Sequence, residues 1–136
     1  QKPHPRLDRL RGAPGVELTG RVPAVEPYLH SAALYVAPLR MGSGTRFKVL
    51  QAMAAEVPIV STTLGAEGSD ATPGKKPDTA DTAADFAQAV IALLGDPEQR
   101  RQLARAAHAL VQSRYDWSVI IPRLVELYPS LRGAPV

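Results

Sequence analysis

The chain has 136 residues, no cysteine, a formal net charge of +3 and a hydrophobic fraction of 45%, an ordinary composition for about one globular domain. The lack of cysteine excludes disulfides and thiolate metal sites. No apolar run reaches the roughly 18 residues of a membrane span, and the start QKPHPRLDRL lacks a signal-peptide core. On those two grounds a cytoplasmic protein is expected, and scattered basic residues with few aromatics between them argue against a nucleic-acid surface.

In chain order, Pro5 to Arg11 reads as a short helix, and APG turns into VELTG, a brief strand ending at Gly20. Val25, Tyr28 and Leu29 share one face of a second short helix. ALYVAPL is a continuous apolar run of strand length, the pattern of a parallel strand covered on both faces. From Thr45 to Glu56 the period becomes helical, with Phe47, Val49, Leu50, Met53 and Ala54 on one arc. Lys48, Gln51, Ala52 and Ala55 fall off that arc and carry little charge, so a cover is expected there: a ligand, a second domain, or another layer of the same domain. VPIVST is the next buried strand. This alternation predicts an α/β fold, Rossmann-like and three-layered (α/β/α), with a short parallel sheet.

The stretch SDATPGKKPDTAD, residues 69 to 81, has no large apolar residue and reads as an exposed, mobile loop. Thr82 with Asp85 forms a variant capping box before Phe86, Val90 and Leu93, and Gly95 can end that helix. Asp96 caps the next, with Pro97 at its first position and Gln99 three residues past the cap. The last helix should pack through Trp117, Ile121, Leu124 and Tyr128, with Pro122 kinking it or marking its start. No internal repeat is visible. His4, His30 and His108 share no ligand spacing, so no metal site is expected.

The loop RMGSGTR lies where ligands bind in open α/β sheets, at the carboxyl end of a strand and the start of a helix. Gly42 and Gly44 allow close backbone approach, Thr45 can cap the helix, and Arg40, Arg46 and Lys48 bring positive charge. A diphosphate suits the arrangement; the alternative is a tight turn with solvated basic side chains. The loop is neither a Walker A motif nor a complete dinucleotide fingerprint.

Taken together, Thr19-Gly20, the apolar strand with Pro38, Gly42-Ser43-Gly44-Thr45-Arg46-Phe47-Lys48, Ala52-Met53-Ala54 and Pro58-Ile59-Val60 resemble the C-terminal, donor-binding domain of retaining glycosyltransferases of family 4, or group 1, which have the GT-B fold of two Rossmann domains. The likeness covers most of Gly15 to Tyr128. It implies a nucleoside-diphosphate sugar in the cleft between two domains, with no metal or other cofactor. The base and ribose would approach Gly20, Arg21, Val22 and Gln51. The diphosphate and sugar would face Arg40, Gly42, Ser43, Gly44, Thr45, Arg46 and Lys48. Gly65, Ala66, Glu67 and Gly68 would form the next loop of the rim. Stabilising the departing diphosphate needs donors where negative charge grows, and no nucleophile on this domain.

The chain departs from the family pattern at three points. Ser43 and Gln51 stand where the family commonly has glutamates, one near the sugar and one on the ribose; glutamine keeps a single carbonyl acceptor, so hydroxyl binding is either weakened or lost. Residues 69 to 81 replace a hydrophobic strand. The start at Gln1 suggests a truncated C-terminal half, lacking the domain's first strand-helix unit and the whole N-terminal Rossmann-like domain. Such a fragment should be inactive alone, and a sheet missing its first unit exposes an edge that can pair with another copy. Any peripheral membrane contact would fall to the missing domain. The competing reading is a non-catalytic interaction module that kept the fold and lost the donor.

Overall fold

The computed structural model describes residues 5–42, 46–67 and 78–132. A 3-10 helix, Pro5–Leu10, leads into an irregular stretch and then α1 (Glu26–Ser31). The body follows as β1 (Tyr35–Ala37), α2 (Phe47–Ala54), β2 (Ile59–Ser61), α3 (Thr63–Ala66), β3 (Asp78–Thr79), α4 (Ala83–Gly95), α5 (Pro97–Tyr115) and α6 (Trp117–Arg132). The three strands form one parallel sheet in the order β1-β2-β3, with Tyr35 opposite Ile59 and Val60 opposite Asp78. This is the α/β, Rossmann-like alternation expected, short in its strands and rich in helix.

The principal core gathers Leu29, Val49, Ala52, Met53, Val57, Ile59, Ala107 and Leu110, so α1, α2, β2 and α5 meet on one side. Ile59 belongs to that cluster while the equally buried Val60 does not, and α4 packs on β2 through an element whose Leu93 is fully buried. Successive strand residues face opposite ways, which accounts for a sheet covered by helices on both sides. Each fully buried large side chain of this kind contributes about 1.5–3 kcal/mol.

Local signals behave as the spacing suggests. Thr82 accepts from the Asp85 N–H at 3.1 Å, but the Asp85 carboxylate returns to the Thr82 hydroxyl at 2.6 Å, so the reciprocal bond joins side chains. Asp96 accepts from the Gln99 N–H at 2.8 Å, with Pro97 opening α5. After α2, Val57 N–H reaches Ala52 O and Glu56 N–H reaches Met53 O, the paired bonds of a Schellman ending. Glu56 occupies its left-handed position at φ 56°.

Other expectations give way to tertiary context. Residues 16–20 form no strand. The stretch expected to remain a loop to residue 81 instead supplies β3, because Asp78 and Thr79 pair through backbone groups that need no apolar side chain, and Ala80 N–H donates to Ser61 O. Residues 69–77 lie outside the described part. In α1 only Leu29 is buried, while Val25 and Tyr28 are exposed. On α2, Phe47, expected in the core, is 73% exposed, whereas Ala52, on the flank for which a cover was expected, is fully buried. Its cover is α5, another layer of the same domain, since small alanines let the helices approach closely. His108 on α5 adds a bond to Ala54 O at 3.0 Å; a carbonyl only accepts, so Nδ1 carries the proton.

The last helix also differs. Trp117, Ile121 and Leu124 are exposed rather than packed, and the side chain of Tyr128 lies outside the described part. The helix begins at Trp117 and continues through Pro122, so the proline is not its start.

Candidate functional site

Because all three strands are parallel, the segments leaving their carboxyl ends share one rim: residues from Pro38 after β1, from Thr62 after β2 and from Ala80 after β3. Thr62 joins the first two. Its hydroxyl donates to Leu39 O at 2.5 Å and accepts from the Gly65 N–H at 3.0 Å, capping α3. Gly65 is buried so tightly that a Cβ would lie 2.9 Å from Ala37 O and closer still to Ser61 Oγ. Ser61, fully buried, donates between Ala37 O and Thr62 O at 3.3 and 3.0 Å.

Asp81 enters from the third segment. Thr63 gives it both its N–H at 2.8 Å and its hydroxyl at 2.7 Å. These bonds, the backbone one first, hold the Asp81 carboxyl below the usual carboxylate range. The sequence reading missed Asp81 and Thr62. The available signal was slight: an aspartate just before the Thr82 cap, and a threonine just after a buried strand.

Arg46 connects residues expected at the site. Its side chain is only 10% exposed. Nε–H donates to Leu64 O at 3.3 Å, Nη2–H donates to Gly42 O at 3.0 Å, and Nη2 stands 4.0 Å from the Glu67 carboxylate. Arg46 thus links Gly42 to Leu64 on α3 and to Glu67 at its C-cap, and Gly65 and Ala66, expected in a rim loop, belong to that short helix instead, which the Thr62 cap starts. Gly42 has φ 124°, a conformation suited to glycine.

The remaining candidates are less gathered. Arg40 is exposed and borders a groove of about 220 Å³ with Pro38, Thr62, Asp81, Thr82 and Phe86. Lys48 is exposed and lines, with Tyr35, Val36, Leu39, Arg46 and Phe47, a larger groove of about 440 Å³ between β1 and the start of α2. Burial pushes the Tyr35 phenol upward. Gln51 is exposed on α2. Gly20, Arg21 and Val22 lie on the irregular stretch before α1, and among the described residues they make no hydrogen bond or ion pair to the rim. Ser43, Gly44, Thr45 and Gly68 lie outside the described residues; α2 has Arg46 at its N-cap position, without a side-chain cap bond. Among the described residues no group of three or more His, Asp or Glu is placed to hold a metal ion, and no helix is long and apolar enough to cross a membrane.

Fold and rim together define a Rossmann-like α/β domain with its polar and basic loops at the carboxyl ends of the strands. Residues 1–96 match the family described as glycosyl transferases group 1, and the chain belongs to that family. It is also similar to phosphatidyl-myo-inositol mannosyltransferases of Mycobacterium tuberculosis, in two strains, and of Mycobacterium bovis. Each is 29% identical over 150 residues, which cover 96% of this chain and 38% of the relative. The chain therefore spans well under half the length of the relatives it matches. No solved structure matches it.

Proposed function

We propose that the chain is the donor-binding part of a retaining glycosyltransferase, which moves a sugar from a nucleoside-diphosphate sugar to an acceptor such as a glycan or lipid-linked saccharide. The observation that carries this reading is the convergence of Gly42, Arg46, Leu64 of α3 and Glu67 on one rim in a chain of the group 1 glycosyltransferase family. Ser43, Gly44 and Thr45, which precede α2 in the chain, take the diphosphate and sugar, because helix N–H groups favour anions. Arg40 and Lys48 add exposed positive charge nearby. Gly20, Arg21, Val22 and Gln51 take the base and ribose. The donor needs no metal or other cofactor here.

In the whole protein this domain works against an N-terminal Rossmann-like domain that holds the acceptor and accounts for any peripheral membrane contact of a cytoplasmic enzyme. The 136 residues alone are inactive. The outer edge of β1 can pair with another copy, an idea that light scattering rejects by finding only monomer. A mannosyl donor is among the first to try, given the name of the relatives.

Calorimetric titration of UDP- and GDP-sugars onto the full-length protein tests the reading. Binding of one of them with saturable heat is expected. No heat with any, together with unchanged thermal stability, refutes it. A second reading, a domain that has given up donor binding, is favoured by Gln51, which stands where the family commonly has a carboxylate. Gln51→Glu separates the two: a gain in nucleotide affinity supports an adapted donor site, and no change supports the second reading.

A further inference from the structure

We propose that Arg46 is a positioning residue, whose guanidinium clamps the segment at Gly42 against α3 and so sets the distance between the two rim segments that flank the donor diphosphate. This rests on the donor-binding reading above. The support is geometric. Two N–H groups of one rigid, planar fork reach main-chain carbonyls on different segments, Gly42 four residues before Arg46 and Leu64 of α3 eighteen after it. The side chain is 10% exposed, with Glu67 Oε2 4.0 Å away as a partial counter-charge. A cation that far withdrawn from water is tolerated because carbonyl dipoles and a carboxylate replace its hydration.

The two ends of the clamp differ in firmness. Leu64 belongs to α3, which is pinned to the sheet by the Thr62 bonds and by the close seat of Gly65 against Ala37 O. The segment at Gly42 is exposed, and Met41 beside it is 85% exposed. Arg46 therefore carries the rigidity of α3 out to Gly42. Gly42 suits the arrangement twice over: its φ of 124° disfavours a side chain, and a Cβ there would come within 3.2 Å of Arg46 Nη1. The N–H groups spent on Gly42 and Leu64 point at protein, so a diphosphate draws its charge from Arg40 and Lys48.

The test uses the full-length protein with Arg46→Lys and Arg46→Ala, and Lys48→Ala as the charge control. Lysine keeps the charge but loses the fork. For a clamp, amide exchange at Leu64–Glu67 and Arg40–Gly42 in the ligand-free protein should quicken about tenfold or more in Arg46→Lys, with the strands unchanged. Donor KM should rise about tenfold in both Arg46 variants alike, with acceptor KM unmoved, a split that a general loss of stability would not produce. Unchanged exchange in Arg46→Lys overturns the proposal. So does Arg46→Lys keeping wild-type donor KM while Arg46→Ala loses it, since that is the behaviour of a simple ligand charge. If Arg46→Ala does not fold, Arg46→Gln takes its place. If the wild type binds no nucleotide sugar, the donor reading fails, while the exchange measurement alone still decides whether Arg46 is the clamp.

Discussion

Thr63 donates to both oxygens of Asp81, from its N–H at 2.8 Å and from its hydroxyl at 2.7 Å, and so ties the end of β3 to the start of α3. The ionised carboxylate is the form these bonds favour, which is why its pKa is lowered. Its contribution to stability is complete above the unfolded-state value of about 3.9 and is lost as pH falls from there through the lower folded value. Thermal midpoints of wild type and Asp81→Asn should therefore differ at neutral pH and converge under acid. Glu98 and Asp116 are also lowered, by Arg101 and Ser118 respectively, and the subtraction leaves Asp81 alone. A gap that persists undiminished to the acid limit would contradict this account.

Gly65→Ala places a methyl group against Ser61 Oγ and 2.9 Å from the backbone oxygen of Ala37. Ser61 is fully buried and cannot swing into solvent. Urea unfolding should show a loss of about 1–3 kcal/mol, the usual range for overpacking. Gly95→Ala is the contrast, because a Cβ there meets nothing within 4 Å; in a helix it should gain about 0.5–1 kcal/mol.

Glu56 carries φ 56° at the end of α2, where glycine has no steric penalty. Glu56→Gly relieves that strain but widens the unfolded ensemble, so a net gain of about 0.5–1 kcal/mol is expected by denaturant titration. Glu56→Val should instead destabilise, since a β-branched residue is poorly suited to positive φ.

His108→Ala removes the bond from α5 to Ala54 O, and should cost about 0.5–1.5 kcal/mol. Ile121 on α6 is 51% exposed, so Ile121→Gln in the 136-residue chain should change stability by no more than about 0.5 kcal/mol. A loss of several times that would mean that the helix is covered in solution.

Legibility in the sequence follows the distance over which each feature is decided. The caps Thr82–Asp85 and Asp96–Gln99 join atoms three residues apart, so their residue types announce them. The buried strand Ile59–Ser61 and the glycine-and-basic rim are equally local in pattern. Burial was harder to read on α2, where Phe47, expected in the core, is exposed, and where the sequence called for a cover over Ala52 without naming it: the deciding surface belongs to α5, whose Ala107 and Leu110 lie far along the chain. β3 escaped notice because its pairing is made by backbone groups, which every residue type carries.

By itself the sequence determined the alternation of strands and helices, where several helices begin, the rim that carries the glycines and basic residues, and the family. Only the tertiary structure decided what those residues do to one another. Arg46 reads in the sequence as a charge awaiting an anion; in the fold it is withdrawn from water and bonded to Gly42 and Leu64. A guanidinium has no preferred partner until folding brings an acceptor within reach, and the Leu64 carbonyl comes within reach only when α3 is seated on the end of the sheet by Gly65.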